Sequence, residues 1–147
     1  MAGEPGGGLA AIRAWLRLQR SFDAFNLHLR DTYGVTGAQL AMLRIVAEQE
    51  PITLRMLRAQ LEMHPATIGQ LVDRIVARGL LTRTRGRSDS RERDLAISAS
   101  GRRLLRRAPL AGPVRLRTMA ADATRLERLA EAFRDAVILF GLEAWAT

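Results

Sequence analysis

The feature that most limits how this chain can fold is a helical apolar pattern that leads directly into a hairpin pattern. Between positions 68 and 76, apolar residues recur every three or four residues, as on a helix that buries one face. Pro65 suits the first position of this helix, and Gly79 is placed to end it. Two β-like runs follow, at residues 80–84 and 93–98, around a charged segment. This order is the layout of a winged helix-turn-helix module.

Helical patterns surround this module on both sides. A stripe of aromatic and leucine residues from Ile12 to Tyr33 predicts one long amphipathic helix that begins near Leu9. After the hairpin, Pro109 and Gly112-Pro113 interrupt a fifth helix, and a further helix follows. The predicted fold class is mainly α with a small β-hairpin wing. Short polar side chains are placed to cap the helices at Thr36, Thr53, Ser98 or Ser100, and Asp122.

The two outer helical regions carry apolar stripes that the small central module does not explain. Packing across a two-fold axis would bury these stripes, which predicts a homodimer; the alternative is that both regions complete one monomeric core. The length of 147 residues suits one domain. We predict a disordered tail at 1–8 and a single domain at 9–147, which comprises the winged lobe at 35–101 and dimerisation helices at 9–34 and 102–147.

The charge balance points to a polyanionic partner. The 23 basic residues outnumber the 15 acidic ones, so the net charge is +8 and the sequence pI is about 11.6. Double-stranded DNA is the first candidate, and a basic architectural nucleic-acid-binding protein without strong sequence preference is the alternative. The absence of cysteine excludes disulfides and thiol redox switches. With no signal-peptide pattern and no apolar run of membrane length, we expect a cytoplasmic protein without membrane contact.

An enzyme is the competing class, and the residues present do not fit one. His28 and His64 are the only histidines, and the chain has no glycine-rich phosphate loop and no His-Glu-x-x-His helix. Its carboxylates are scattered beside arginines, as in surface ion pairs. We therefore predict no catalytic residue, no metal site and no cofactor.

Three segments resemble the MarR family of bacterial transcription regulators. Residues 36–43, TGAQLAML, are similar to the family segment that opens the second helix. Residues 71–83, LVDRIVARGLLTR, are similar to the end of the family's recognition helix and the start of its wing. The resemblance implies a repressor that binds a pseudo-palindromic operator as a homodimer and is released by a small-molecule effector. The family's wing pattern is matched by Asp89, Ser90, Arg91, Leu95, Ile97, Ser98 and Gly101.

In a helix-turn-helix, the first residues of the second helix face base edges in the major groove. Here these residues are Pro65, Ala66, Thr67, Gly69 and Gln70. Thr67 can bond a phosphate or a base, and Gln70 can offer its amide to adenine. Without the family resemblance, Thr67 would be read as a solvated helix residue. Gly69 and Gln70 stand where relatives have a polar residue and an arginine, so the relatives' base preference does not carry over.

The wing is the strongest basic feature of the sequence. Arg83, Arg85, Arg87 and Arg91 are candidate DNA contacts, and an arginine at a hairpin tip can enter a minor groove. The resemblance assigns that role to Arg91 and implies that Asp89 orients the wing without touching DNA. A charge run without the family spacing would indicate only a solvated surface.

Two further residues have alternative roles that the sequence leaves open. Arg74 can reach a phosphate, or it can pair with Asp73 and the wing carboxylates. His64 can contact a phosphate or cap the recognition helix.

The resemblance also implies an effector cleft between the dimerisation helices and the DNA-binding lobe. The expected ligand is a small aromatic or anionic molecule. The alternative is that the candidate residues are plain core, which is the usual role of aromatic and methionine residues at helical spacing. The candidates for the cleft are Trp15, Phe22, His28, Met42 and Arg44.

Overall fold

The computed structural model describes residues 6–86 and 91–146, and it confirms the mainly α fold with a small β wing. Three short 3-10 turns, Pro113–Thr118, Ala120–Asp122 and Glu143–Trp145, lie in the C-terminal part. In chain order, the helices and strands are α1 (Gly6–Tyr33), α2 (Gly37–Gln49), β1 (Ile52–Thr53), α3 (Leu54–Leu61), α4 (Pro65–Ala77), β2 (Leu81–Arg85), β3 (Arg93–Ile97), α5 (Ala99–Arg107) and α6 (Ala123–Leu139).

Local side-chain bonds explain where most helices begin. Thr36 and Gln39 form a reciprocal capping box at the start of α2, so the predicted cap is confirmed. Thr53 caps α3, and Ser98 rather than Ser100 caps α5. Asp122 precedes α6 as predicted, but its side chain makes no capping hydrogen bond among the described residues.

The first helix begins earlier than the sequence pattern indicates. α1 starts at Gly6 and not near Leu9, so Gly6–Gly8 lie in the helix and not in the tail expected for residues 1–8. Residues 1–5 lie outside the described part of the chain. Although α1 has 28 residues, no helix that the structure describes combines the length and apolar character needed to cross a membrane.

The hairpin is part of a three-stranded antiparallel sheet with the order β1-β3-β2. The predicted strands β2 and β3 pair as expected, with Leu81 opposite Ile97. β1 is an addition to the predicted hairpin, and its Ile52 lies opposite Leu95. Two residues are too few to show the alternation by which strands are recognised in a sequence.

The hydrophobic core lies in the winged lobe, between α2, α3, α4 and the sheet. The outer helices contribute little to it: Leu29 is the one fully buried residue of α1, and α6 has none. Trp15 of α1 contacts Phe140 just beyond α6, edge to face, with 5.8 Å between the ring centroids. In the single chain, α1 and α6 therefore leave most of their apolar side chains outside the core.

Candidate nucleic-acid interface

The recognition helix α4 presents one apolar face to the core and one open face to solvent. Ile68, Val72 and Ile75 are completely buried and fix its position. His64 caps the helix, because its Nδ1 accepts the Ala66 N–H at 3.2 Å, which favours the structural role for this histidine. The predicted base-reading residues lie on the open side: Pro65, Ala66, Thr67 and Gln70 are exposed, and Gly69 is half-exposed.

The end of α4 is joined to both the wing and α5. Gly79 has φ +71°, the left-handed conformation predicted for it. The Leu80 N–H returns to the Ile75 carbonyl at 3.2 Å and closes the helix end. The Ser98 hydroxyl donates to the Gly79 carbonyl at 2.6 Å, and its N–H donates to the Leu80 carbonyl at 3.1 Å. These bonds fix the base of the wing relative to the recognition helix.

A salt bridge connects the recognition helix to the wing. The Arg83 guanidinium lies 2.5 Å from the Asp73 carboxylate, so Arg83 of β2 binds α4 while remaining partly exposed. Arg74 forms no ion pair with a described residue, and its exposed side chain is available to a phosphate. A sequence shows only the signs of these charges, and the turn at Gly79 is what brings Asp73 and Arg83 together.

The described part of the wing carries basic side chains on an exposed surface. Arg85 and Arg93 are exposed and lie directly opposite each other where β2 leads into the segment that connects it to β3, and like charges so placed repel unless an anion lies nearby. Arg91 is exposed and lines, with Gly69, a cavity of about 310 Å³ between α4 and the wing. Two candidate residues, Arg87 and Asp89, lie outside the described residues. The arrangement places cationic groups beside an open helix face, as DNA binding through adjacent grooves requires.

A separate apolar cavity of about 410 Å³ lies between α1, α6 and the segment after α5. It adjoins a second cavity of about 210 Å³ that extends toward α2. Phe22 and Phe25 line both cavities, and none of the residues that line the two carries a charge. The larger cavity is lined by Leu18, Ser21, Phe22, Phe25, Ala111, Gly112, Pro113, Leu116, Leu129 and Phe133.

Of the five candidate effector residues, only Phe22 lines these cavities. Trp15 lies beside Phe140, and His28 is exposed, with its ring 6.0 Å from that of Tyr33. Met42 is 2% exposed and belongs to the core of the winged lobe. The structure therefore does not bring the five residues together, because residues at helical spacing can face different neighbours.

Arg44 has a structural position at the junction of the lobe and the C-terminal region. Its guanidinium donates to the carbonyls of Ala108 and Pro109 at 3.1 and 3.2 Å. Burial lowers the pKa of Arg44 because it disfavours the charged form, and Glu48 opposes this effect. The Tyr33 hydroxyl donates to the neighbouring Arg107 carbonyl at 2.9 Å. Together these side chains bind carbonyls at the end of α5, which have no partner within that helix.

Solved structures with this architecture include DNA-bound regulators. The family model described as MarR family matches residues 33–92. The PcaV transcriptional regulator from Streptomyces coelicolor, in complex with its natural ligand, is 26% identical, with a TM-score of 0.59 over 93% of this chain and 99% of that one. The transcriptional repressor CouR, bound to a 23-mer DNA duplex, is also 26% identical, with a TM-score of 0.57 over 96% and 92%.

The S. aureus MepR–DNA complex has a TM-score of 0.65 over 88% of this chain and 97% of that chain. Its sequence identity is 14%, so this match supports the fold alone. No curated protein sequence matches the chain.

Proposed function

We propose, from the match of the MarR family model to residues 33–92, that the chain is a DNA-binding transcription regulator of this family. In this proposal it is a sequence-specific repressor that binds a pseudo-palindromic operator as a homodimer. Members of this family are regulators and not enzymes. The observation that supports operator binding most directly is the open N-terminal face of α4 beside the arginine-rich wing. Thr67 and Gln70 would contact bases, while Arg74, Arg83, Arg85, Arg87 and Arg91 would contact the DNA backbone or minor groove.

The homodimer is supported by the apolar surface that one chain leaves open. Leu9, Ile12 and Trp15 of α1 are each 45% exposed or more, and so are Ile138 and Leu139 of α6. Large apolar side chains exposed along two amphipathic helices are typical of an interface. In the proposed dimer, these helices pack against those of a second copy and set the spacing of the two recognition helices.

The uncharged cavity beside Phe22 supports a small aromatic effector over an anionic one. An anion would have to give up its hydration without a cationic partner on the cavity wall. The structure of PcaV in complex with its natural ligand supports ligand binding by a regulator of this fold. We propose that an effector binds here and shifts α1 relative to the winged lobe, which would change the distance between recognition helices.

Binding to the intergenic DNA beside the protein's own gene, compared with a random duplex of equal length at two salt concentrations, tests the proposed function. We expect specific binding to exceed random binding by about 4 kcal/mol or more. Equal affinity for both duplexes, with a steep salt dependence, would instead favour the architectural alternative or an operator elsewhere.

Replacing Arg91 with alanine is expected to weaken operator binding by about 10- to 100-fold, the usual value of a specific arginine contact. The oligomeric state should not change, because Arg91 lies on the wing. Arg115→Ala is the matched control: it removes the same charge from an exposed residue outside the wing. Fluorescence anisotropy titration measures both variants, and equal losses would refute a specific role for Arg91.

Gly69→Ala is expected to raise the stability of the protein and lower its affinity for DNA. A Cβ at Gly69 would meet no atom within 4 Å, and alanine favours a helix over glycine by about 1 kcal/mol. Glycine is therefore not needed for packing, which supports a close approach of DNA at this position. Gly8→Ala in α1 is the control, since it also meets open space but lies far along the chain from α4. Urea unfolding measures the stability and DNA titration measures the affinity. Only Gly69→Ala should raise the stability while lowering the affinity for DNA.

A further inference from the structure

At the base of the wing, one side chain from the end of α2 takes the place of a missing strand residue. β1 pairs with β3 through Ile52 and Thr53 only. In the same register, the next residues of the chain, Pro51 and Glu50, would lie opposite Ala96 and Ile97. Proline cannot donate to the ladder, so backbone pairing does not extend in this direction.

The Glu50 carboxylate supplies the bond that this edge of β3 would otherwise lack. One oxygen, Oε2, accepts the Ile97 N–H at 2.8 Å. The other, Oε1, pairs with the guanidinium of Arg102 in the first turns of α5. Glu50 is the residue that ends α2, and its side chain is only 22% exposed. A single carboxylate therefore joins α2, the base of the wing and α5.

We infer that Glu50 is a positioning residue for DNA binding: it fixes the wing at the angle at which the wing and α4 reach adjacent grooves together. This inference rests on the proposed function. Glu50 lies beside Ile97 at the end of β3 that leads into α5, at the opposite end of the hairpin from Arg85 and Arg93, so it acts through the strand and not on DNA. A tethered wing loses less conformational freedom on binding than a loose one, and this difference appears as affinity.

DNA titration of Glu50→Ala, with Glu48→Ala as its control, tests the inference. Both changes remove one negative charge at the end of α2, but Glu48 pairs with Arg117 at 2.7 Å and does not touch the wing. We expect Glu50→Ala to lower the affinity for the duplex that the wild-type protein prefers by about tenfold relative to Glu48→Ala. Glu50→Gln should recover part of this loss, because the amide oxygen can still accept the Ile97 N–H.

Amide hydrogen exchange of the full-length variants separates positioning from overall stability. Glu50→Ala should speed exchange at Ile97 and along β2, Leu81–Arg85, while the core of α4 keeps its protection. Affinity equal to that of Glu48→Ala would overturn the inference, as would unchanged exchange in the wing. If the wild-type protein prefers no duplex over random DNA, the proposed operator function fails and not the inference about Glu50. Amide hydrogen exchange in the wing of Glu50→Ala would then show by itself whether Glu50 holds the wing.

Discussion

Replacing Leu139 with aspartate is expected to give a monomer that binds a two-half-site operator at least about 100-fold more weakly than the wild-type protein does. Leu139 is 81% exposed in the single chain, more than any other large hydrophobic residue in the described part. In the proposed dimer, the carboxylate would be buried without a partner, at a cost of several kcal/mol. A monomer also loses the second recognition helix and wing, and with them half of the DNA contacts.

Sedimentation analysis measures the oligomeric state, and anisotropy titration with the same samples measures DNA binding. Met56→Asp is the control for the oligomeric state, because it places the same charge on a 48% exposed apolar residue of α3, in the winged lobe. The proposed interface would be wrong if Leu139→Asp remained dimeric, or if Met56→Asp dissociated equally well.

Gly101→Ala is expected to destabilise the protein by about 2–3 kcal/mol, near the upper end for overpacked sites. A Cβ at this buried glycine would clash with the Leu80 carbonyl oxygen and would lie 2.7 Å from a side-chain carbon of Ile97. The Leu80 oxygen cannot move freely, because it also accepts the Ser98 N–H. Relief of the clash must therefore shift α5 away from the end of α4.

Urea unfolding followed by circular dichroism measures this free energy. Gly69→Ala is the matched control, a glycine-to-alanine change within a helix at a site with open space, and it should shift stability in the opposite direction. An unchanged midpoint for Gly101→Ala would contradict the close packing of α5 on Leu80. The contact also gives a physical reason for the glycine after the cap in the wing pattern: the first turn of α5 rests directly on a backbone carbonyl.

Helix boundaries could be predicted from the sequence where the bonds that form them are local. Thr36, Thr53 and Ser98 each accept a backbone N–H three residues ahead, so a short window contains both partners. Gly79 is a similar case, because its conformation is an intrinsic property of glycine. The winged arrangement followed from these local signals and from the apolar periodicity between them.

Features that depend on distant pairing could not be read in this way. β1 exists because Ile52 meets Leu95, which is far away along the chain. Glu50 looks like any acidic residue before a proline until the sheet brings Ile97 to its carboxylate. Likewise, Phe22 and Met42 both fit apolar stripes, but only the packed structure shows that one lines a cavity and the other lies in the core.

The exposed apolar faces of α1 and α6 have a consequence for the protein concentration that a cell must maintain. If these faces are covered only by a second copy, folding and association form one equilibrium, and stability depends on the protein's own concentration. Each tenfold dilution would then lower the free energy of unfolding by about 1.4 kcal/mol. When the concentration of such a regulator falls, fewer molecules stay folded and fewer operators are occupied. Operator occupancy would therefore depend more steeply on protein concentration than it does for a stable monomer.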